Sequence, residues 1–378
     1  MSAETALGIY VHWPYCARIC PYCDFNVYKN KTVDEAAWIK ALTRDLTYWA
    51  ERTNGRKLTS LYFGGGTPSL APINVIESVI ETCGRLWGFD TDPEITLEAN
   101  PTDAEQSRFH NIAATGVNRL SLGVQSLREE ALGFLGRDHD AASAISAITL
   151  SQKKFDRVSF DLIYARPDQS LDGWNAELKE ALSFGVTHLS LYQLTIEPGT
   201  AFEKQVRAKR WAPADEDLCA DQFNLAQELT HTAGLPAYEI SNHAAPDAQS
   251  RHNLIYWRYQ DYIGVGPGAH GRLTVNGERI ATEMTARPED YLNATGAGAC
   301  LIEPLSAEAQ LIERLTMGLR LNEGVALYAD DPFYQNDARA EKLQHAINDG
   351  LLDLQCGRLT ATPNGRVVLN RLLYDLLG

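Results

Sequence analysis

The chain has 378 residues, 44% of them hydrophobic, and a formal charge of −15. That length holds one large domain plus a small one, and the acidic balance argues against nucleic acid or an anionic membrane surface as partner. No apolar run is long enough to span a bilayer, the opening MSAETALGIY lacks the marks of a signal peptide, and seven cysteines, odd in number and mostly scattered, make no disulfide framework; the expected compartment is the cytoplasm.

The first β-rich run, Gly8–His12, leads straight into Cys16-Ala-Arg-Ile-Cys20-Pro-Tyr22-Cys23. Three thiolates spaced C-x3-C-x2-C cannot close a four-iron cube, so one iron stays open to an outside ligand. A structural zinc would want a fourth protein ligand, and His12, upstream on the strand, is poorly spaced to supply it. Further strands are expected at 58–63, 94–97, 119–123, 158–163 and 188–191. Amphipathic helices fall between them at 33–52, 73–87, 141–152 and 171–184. Strand–helix repetition of this kind predicts an α/β fold with a parallel sheet and right-handed crossovers. Six units point to a partial (β/α)6 TIM-like barrel, with a doubly wound sheet as the alternative. In a barrel the ligand-binding groups sit at the C-terminal strand ends.

Four stretches fall at such ends. After the second strand comes Gly64-Gly65-Gly66-Thr67-Pro68, where glycines let the backbone approach a ligand; the bland reading is a plain turn. After the third comes Glu98-Ala-Asn100-Pro101, with a carboxylate that accepts from an ammonium or hydroxyl and an Asn100 that suits a turn or cap. The fourth ends in Gly123-Val-Gln125-Ser126, and Arg137 follows as a bidentate donor for a carboxylate or a solvated surface charge. Asp161 is a lone carboxylate in an apolar run, so it needs a buried partner, ligand or structural.

Past residue 210 the pattern loosens. A helix is expected at 215–233, a strand at 236–240, and a glycine-rich stretch at 264–271. Between them lies His252-Asn-Leu-Ile-Tyr256-Trp257: an imidazole for iron and flat faces for a macrocycle, or simply a packed loop. Helices at 307–319 and 337–349, two short strands around Cys356-Gly357 and a closing helix make a small winged-helix-like C-terminal domain. The expected division is 6–215, 216–300 and 304–378.

The cysteine spacing after a first strand, with Tyr22 before the last cysteine, resembles the radical SAM superfamily. The ordered series of Tyr10, GGGTP, Glu98–Pro101, GVQS, Arg137 and Asp161 resembles the oxygen-independent coproporphyrinogen III oxidase family within it. That resemblance implies a [4Fe–4S] cluster on Cys16, Cys20 and Cys23, S-adenosylmethionine (SAM) on the open iron, and electron transfer into the sulfonium to give a 5′-deoxyadenosyl radical. It implies SAM contacts at Tyr10, Tyr22, Gly65, Gly66, Thr67, Glu98, Gln125, Arg137, Asp161 and Leu194. Two departures matter: Phe25 stands where the oxidase has a fourth cysteine, and the oxidase's long N-terminal extension is absent. Both, with the H-N-x-x-Y-W run, resemble the shorter HemW branch of haem chaperones. That branch implies haem as cargo at His252, Tyr256 and Trp257, an unidentified haem-acceptor protein, a flavodoxin-type reductant and a homodimer. His12, His243, His270 and the isolated cysteines remain as other axial candidates. A radical enzyme acting on a tetrapyrrole is the alternative function.

Overall fold

The protein is described by a computed structural model covering residues 6–29, 32–53, 55–294, 299–328 and 331–378. Strand β1 (Leu7–Trp13) alternates Leu7, Ile9, Val11 and Trp13, none more than 3% exposed, with Gly8, Tyr10 and His12. A period of two sends these sets to opposite faces. One face packs under helices; the other lines the concave side of the sheet. The pattern repeats in β2 (Leu58–Gly65), β3 (Phe89–Ala99), β4 (Arg119–Gln125), β5 (Arg157–Tyr164) and β6 (His188–Gln193). Their registers bring Tyr62, Thr96, Glu98, Ser121, Ser159, Asp161 and Ser190 onto the concave face. That face is polar because it encloses a site rather than a core.

The helices between the strands carry the apolar counterpart. Helix α1 (Glu35–Ala50), N-capped by the Asp34 carboxylate accepting from the Ala37 amide at 3.1 Å, buries Trp38, Leu42, Leu46 and Trp49. Helices α2 (Ile73–Leu86), α3 (Phe109–Ala114), α4 (Ala141–Gln152) and α5 (Leu171–Ser183) complete the layer. Asp140 and Ser170 cap the last two, each such cap being worth about 1 kcal/mol.

Helix α6 (Glu216–Thr232) follows, and then the structure departs from expectation. No strand forms over 236–240, where only Ala237 bridges to His243. Pro236 offers no amide to a ladder, and the Glu239 carboxylate accepts from the Ser241 amide and the Asn242 side chain, folding a turn. The strand comes later, as β7 (Asn242–Ala244), antiparallel to β6. A seventh parallel strand, β8 (Asp261–Val265), lies on the far side of β1, and β9 (His270–Val275), β10 (Glu278–Met284) and β11 (Cys300–Pro304) extend the sheet antiparallel beyond it. The order is β11-β10-β9-β8-β1-β2-β3-β4-β5-β6-β7, so the barrel stays open.

Helix α7 (Arg251–Trp257) lies across the N-terminal strand ends as a floor. The Glu94 carboxylate accepts from Ser250 Oγ and from the Arg251 and His252 amides. Beyond β11, helices α8 (Ala307–Gly318), α9 (Asp337–Asn348) and α10 (Leu369–Leu377) surround their own core of Leu311, Leu315, Phe333, Leu343, Leu359 and Leu373. A small sheet of Val325–Ala326, Leu352–Gln355 and Arg358–Ala361 completes this unit. Glu313 ties it to the barrel, accepting from Arg272 at 2.7 Å and from Tyr259 Oη at 2.7 Å. Among the described residues no helix is long and apolar enough to cross a membrane.

Candidate functional site

The cysteine loop is anchored by groups other than its thiols. Tyr15–Cys16 pairs in parallel with Tyr28–Lys29, and the Tyr28 amide donates to Pro14 O at 2.7 Å. The Gly66 and Thr67 amides donate to Trp13 O and Tyr15 O at 2.7 and 2.9 Å. Asn26 Nδ2 donates to Pro267 O and Ala286 O at 3.0 and 2.8 Å. The GGGTP loop thus lies directly under the cysteines. A Cβ on Gly66 would fall 2.7 Å from Tyr15 O, and Gly65, at φ +103°, would drive one to 2.5 Å from the His12 ring. These two positions require glycine.

Cys16 is buried, while Cys20 and Cys23 are half-buried; all seven cysteines are free. Burial pushes the Cys16 thiol up to about 11 and raises Cys23 as well. Around them runs a ring of polar contacts. The Thr67 hydroxyl meets Cys16 and accepts from Asn100 Nδ2 at 3.2 Å. Asn100 Oδ1 accepts from Arg137 Nη2, which also donates to Gly123 O at 2.9 Å. Arg137 Nη1 donates to Cys20 Sγ at 3.1 Å and to Tyr22 Oη at 3.3 Å. Asn100 therefore joins this ring of contacts, where its sequence context suggested only a turn or cap.

Below this ring lie two carboxylates. Tyr62 Oη donates to Glu98 Oε1 at 2.7 Å, and the Gly65 amide to Oε2 at 3.3 Å. Burial, partly offset by Tyr62, lifts Glu98 to about 7; burial also lifts Asp161 to about 6 despite Ser190. Tyr10 stands beside Glu98, its hydroxyl joined to His12 Nδ1 at 3.0 Å. Tyr62 was missed by sequence reasoning. The available signal was parity: it shares the concave face with Ser60 and Gly64.

Three buried polar atoms of this region, Gln125 Oε1, Asp161 Oδ1 and Arg137 Nε, have no hydrogen-bond partner among the described residues. An unsatisfied buried group costs about 1–3 kcal/mol. Two acceptors and a cationic donor fit a ligand bearing hydroxyls and a carboxylate. Gln125 also holds φ 68°, an uncommon conformation for a side-chain-bearing residue at a strand end. Tyr22 and Leu194 meet through an apolar cluster with Leu135, Ile163 and Phe202 at the edge of the ring.

His252, Tyr256 and Trp257 are not at this mouth. They lie on the α7 floor. His252 is wholly buried, its Nδ1 joined to Ser60 Oγ at 2.7 Å and its Nε2 to Tyr256 Oη at 2.6 Å, and its ring stacks on Tyr62. Both ring nitrogens therefore have protein partners, whereas the H-N-x-x-Y-W run suggested an imidazole open to iron. Trp257 is half-buried, with the Arg320 guanidinium 5.9 Å from its ring. Among the described residues, no three His, Cys, Asp or Glu side chains converge on one metal ion.

An open parallel barrel with three neighbouring cysteines at its mouth is the outline of a radical SAM protein, and the comparisons agree. The sequence model of the radical SAM superfamily matches residues 10–181, and that of the HemN C-terminal domain residues 305–368. The chain is 38% identical to the radical S-adenosyl methionine domain-containing protein 1, mitochondrial, of Danio rerio, over all of this chain and 88% of that protein. It is also 38% identical to the heme chaperone HemW of Escherichia coli K12, over 97% of each. The fold matches coproporphyrinogen III oxidase (HemN) from Escherichia coli with a TM-score of 0.80 at 21% identity, covering 99% of this chain and 90% of that one. The chain belongs to the HemN-like family of the radical SAM superfamily, in its HemW branch. Membership of that superfamily implies a [4Fe–4S] cluster and SAM.

Proposed function

We propose that this protein binds haem and transfers it to an acceptor protein, with a cluster and SAM held at the barrel mouth. The observation that carries the reading is likeness along the whole chain to proteins named heme chaperone HemW. Phe25, exposed beside the cysteine loop where the oxidase has a fourth cysteine, supports it further.

Cys16, Cys20 and Cys23 would hold the cluster. Three thiolates leave one iron of a four-iron cube open to an outside ligand, whereas a structural zinc would want a fourth protein ligand. Glu98 and Tyr10 would receive the SAM amino group and ribose together with Gly65, Gly66 and Thr67. Gln125 and Asp161 would accept from hydroxyls, Arg137 would pair with the carboxylate, and Tyr22 and Leu194 would give the adenine an apolar wall. When bound on Cys16, Cys20 and Cys23, such a cluster would supply the electron for reductive cleavage of SAM. The protein's own part is to orient SAM and to keep Glu98 desolvated behind Tyr62. We read 6–215 as the cofactor barrel, 216–300 as its extension and 304–378 as a docked C-terminal unit, in a cytoplasmic protein served by a flavodoxin-type reductant and acting as a homodimer.

A radical enzyme acting on a tetrapyrrole is the second reading, favoured by retention of the complete polar ring. One anaerobic assay separates them. Reconstituted protein given haem, and separately coproporphyrinogen III with SAM and reductant, is expected to bind haem stoichiometrically and leave the porphyrinogen unchanged. Turnover without haem binding would reverse the assignment.

A further inference from the structure

We propose that His270, on the concave face of the sheet beside the cysteine loop, is the imidazole that ligates haem iron, with Glu283 orienting its ring. This rests on the haem-binding reading above. An axial ligand must present a nitrogen lone pair to a macrocycle arriving from outside. Five of the nine histidines are buried: His12, His139, His188, His243 and His252. His12 has both nitrogens engaged, by Tyr10 Oη and by Asn26 O. So has His188, by Ser159 Oγ and Tyr238 Oη. His110, His231 and His345 are exposed, but sit on helices α3, α6 and α9 rather than on the sheet.

His270 is exposed and opens β9. Pairing of Gly8 with Tyr262 and of Tyr262 with Arg272 puts His270, two residues from Arg272, on the same face as Tyr10 and His12. The glycine-rich turn before it is built against the cysteine loop: a Cβ on Gly268 would lie 2.5 Å from Asn26 Nδ2. Across the ladder His270 pairs with Glu283, and Glu283 with Leu301, all three exposed. Directly opposed residues have Cβ atoms about 5 Å apart, so the Glu283 carboxylate can take one imidazole N–H and leave the other nitrogen for iron. Metal-bound histidines are oriented this way. The row spans about 10 Å, two strand spacings, and ends on Leu301, 56% exposed; Phe25, next to Asn26, is 62% exposed. An exposed imidazole with a bare apolar side chain on its own row is a setting for a flat, apolar, iron-bearing ring.

The test is a haem titration of the full, cluster-loaded chain and its variants under nitrogen, with iron content checked for each. H270A is expected to weaken haem binding at least tenfold and to shift the Soret band, with added imidazole restoring its position. E283Q is expected to weaken binding about threefold. A wild-type Soret band and affinity in H270A would overturn the assignment, as would loss of the band confined to H252Q. If the unaltered chain binds no haem, the haem-binding reading itself fails, and the ligand assignment with it.

Discussion

Glu98 and Asp161 carry the cost of a site built for a ligand. A carboxyl whose pKa is higher in the folded chain than in the unfolded one keeps its proton longer in the native state. Its penalty is absent at low pH and grows as pH rises through the interval between the two values. For Glu98 that interval runs from 4.5 to about 7. The urea midpoint of the ligand-free protein is therefore expected to fall between pH 5 and pH 7.5. E98Q, which keeps an acceptor for Tyr62, should flatten that slope and gain about 1–3 kcal/mol at the upper end; an unchanged slope would refute the assignment. Arg137 makes a different case. Its four contacts to Cys20, Tyr22, Asn100 and Gly123 need the full fork, which lysine lacks. R137K is expected to retain its iron yet bind SAM about tenfold more weakly by calorimetry.

At the scale of elements, the six crossover units were readable because each strand alternates apolar and polar residues while its following helix does not. The cysteine spacing and the order of the strand-end motifs were readable for the same reason: each is local. What was not readable depends on which elements meet. β8 was hidden because Gly264 interrupts its short apolar run, and its pairing to β1 joins residues about 250 positions apart in sequence. Asn100 looked like a turn residue until Arg137 and Thr67 were brought to it. His252 carried the right chemistry for iron, and only the fold reveals that Ser60 and Tyr256 already occupy it. The same dependence makes Gly66 a sensitive position. Its Cβ would meet two backbone carbonyl oxygens, Tyr15 O and Trp13 O, and neither can swing aside as a side chain would. G66A is expected to lower the melting temperature by several degrees and to load well under half the iron of the unaltered chain, measured by calorimetry and iron assay.

For the molecule as a whole, the C-terminal unit is held by polar contacts as well as by its own core. Glu313 meets Arg272 and Tyr259, and Glu323 pairs with Arg258 at 2.9 Å. Removing Glu313 leaves a half-buried guanidinium unpaired, so E313A is expected to lose about 1–2 kcal/mol in urea unfolding. R272A alone should lose less, and a double-mutant cycle should give a coupling near 1 kcal/mol.

The anchoring of the cysteine loop by Tyr28, Gly66, Thr67 and Asn26 has a thermodynamic corollary. Where metal ligands double as the structural ties of a small domain, removing the metal unfolds it. Here the ties and the sulfurs are separate sets of atoms. Chelation should therefore strip iron while leaving the far-ultraviolet spectrum and cooperative unfolding intact, and readdition of iron and sulfide should restore the centre without a refolding phase. Loading of the cluster is then expected to behave as a reversible equilibrium on a standing receptor.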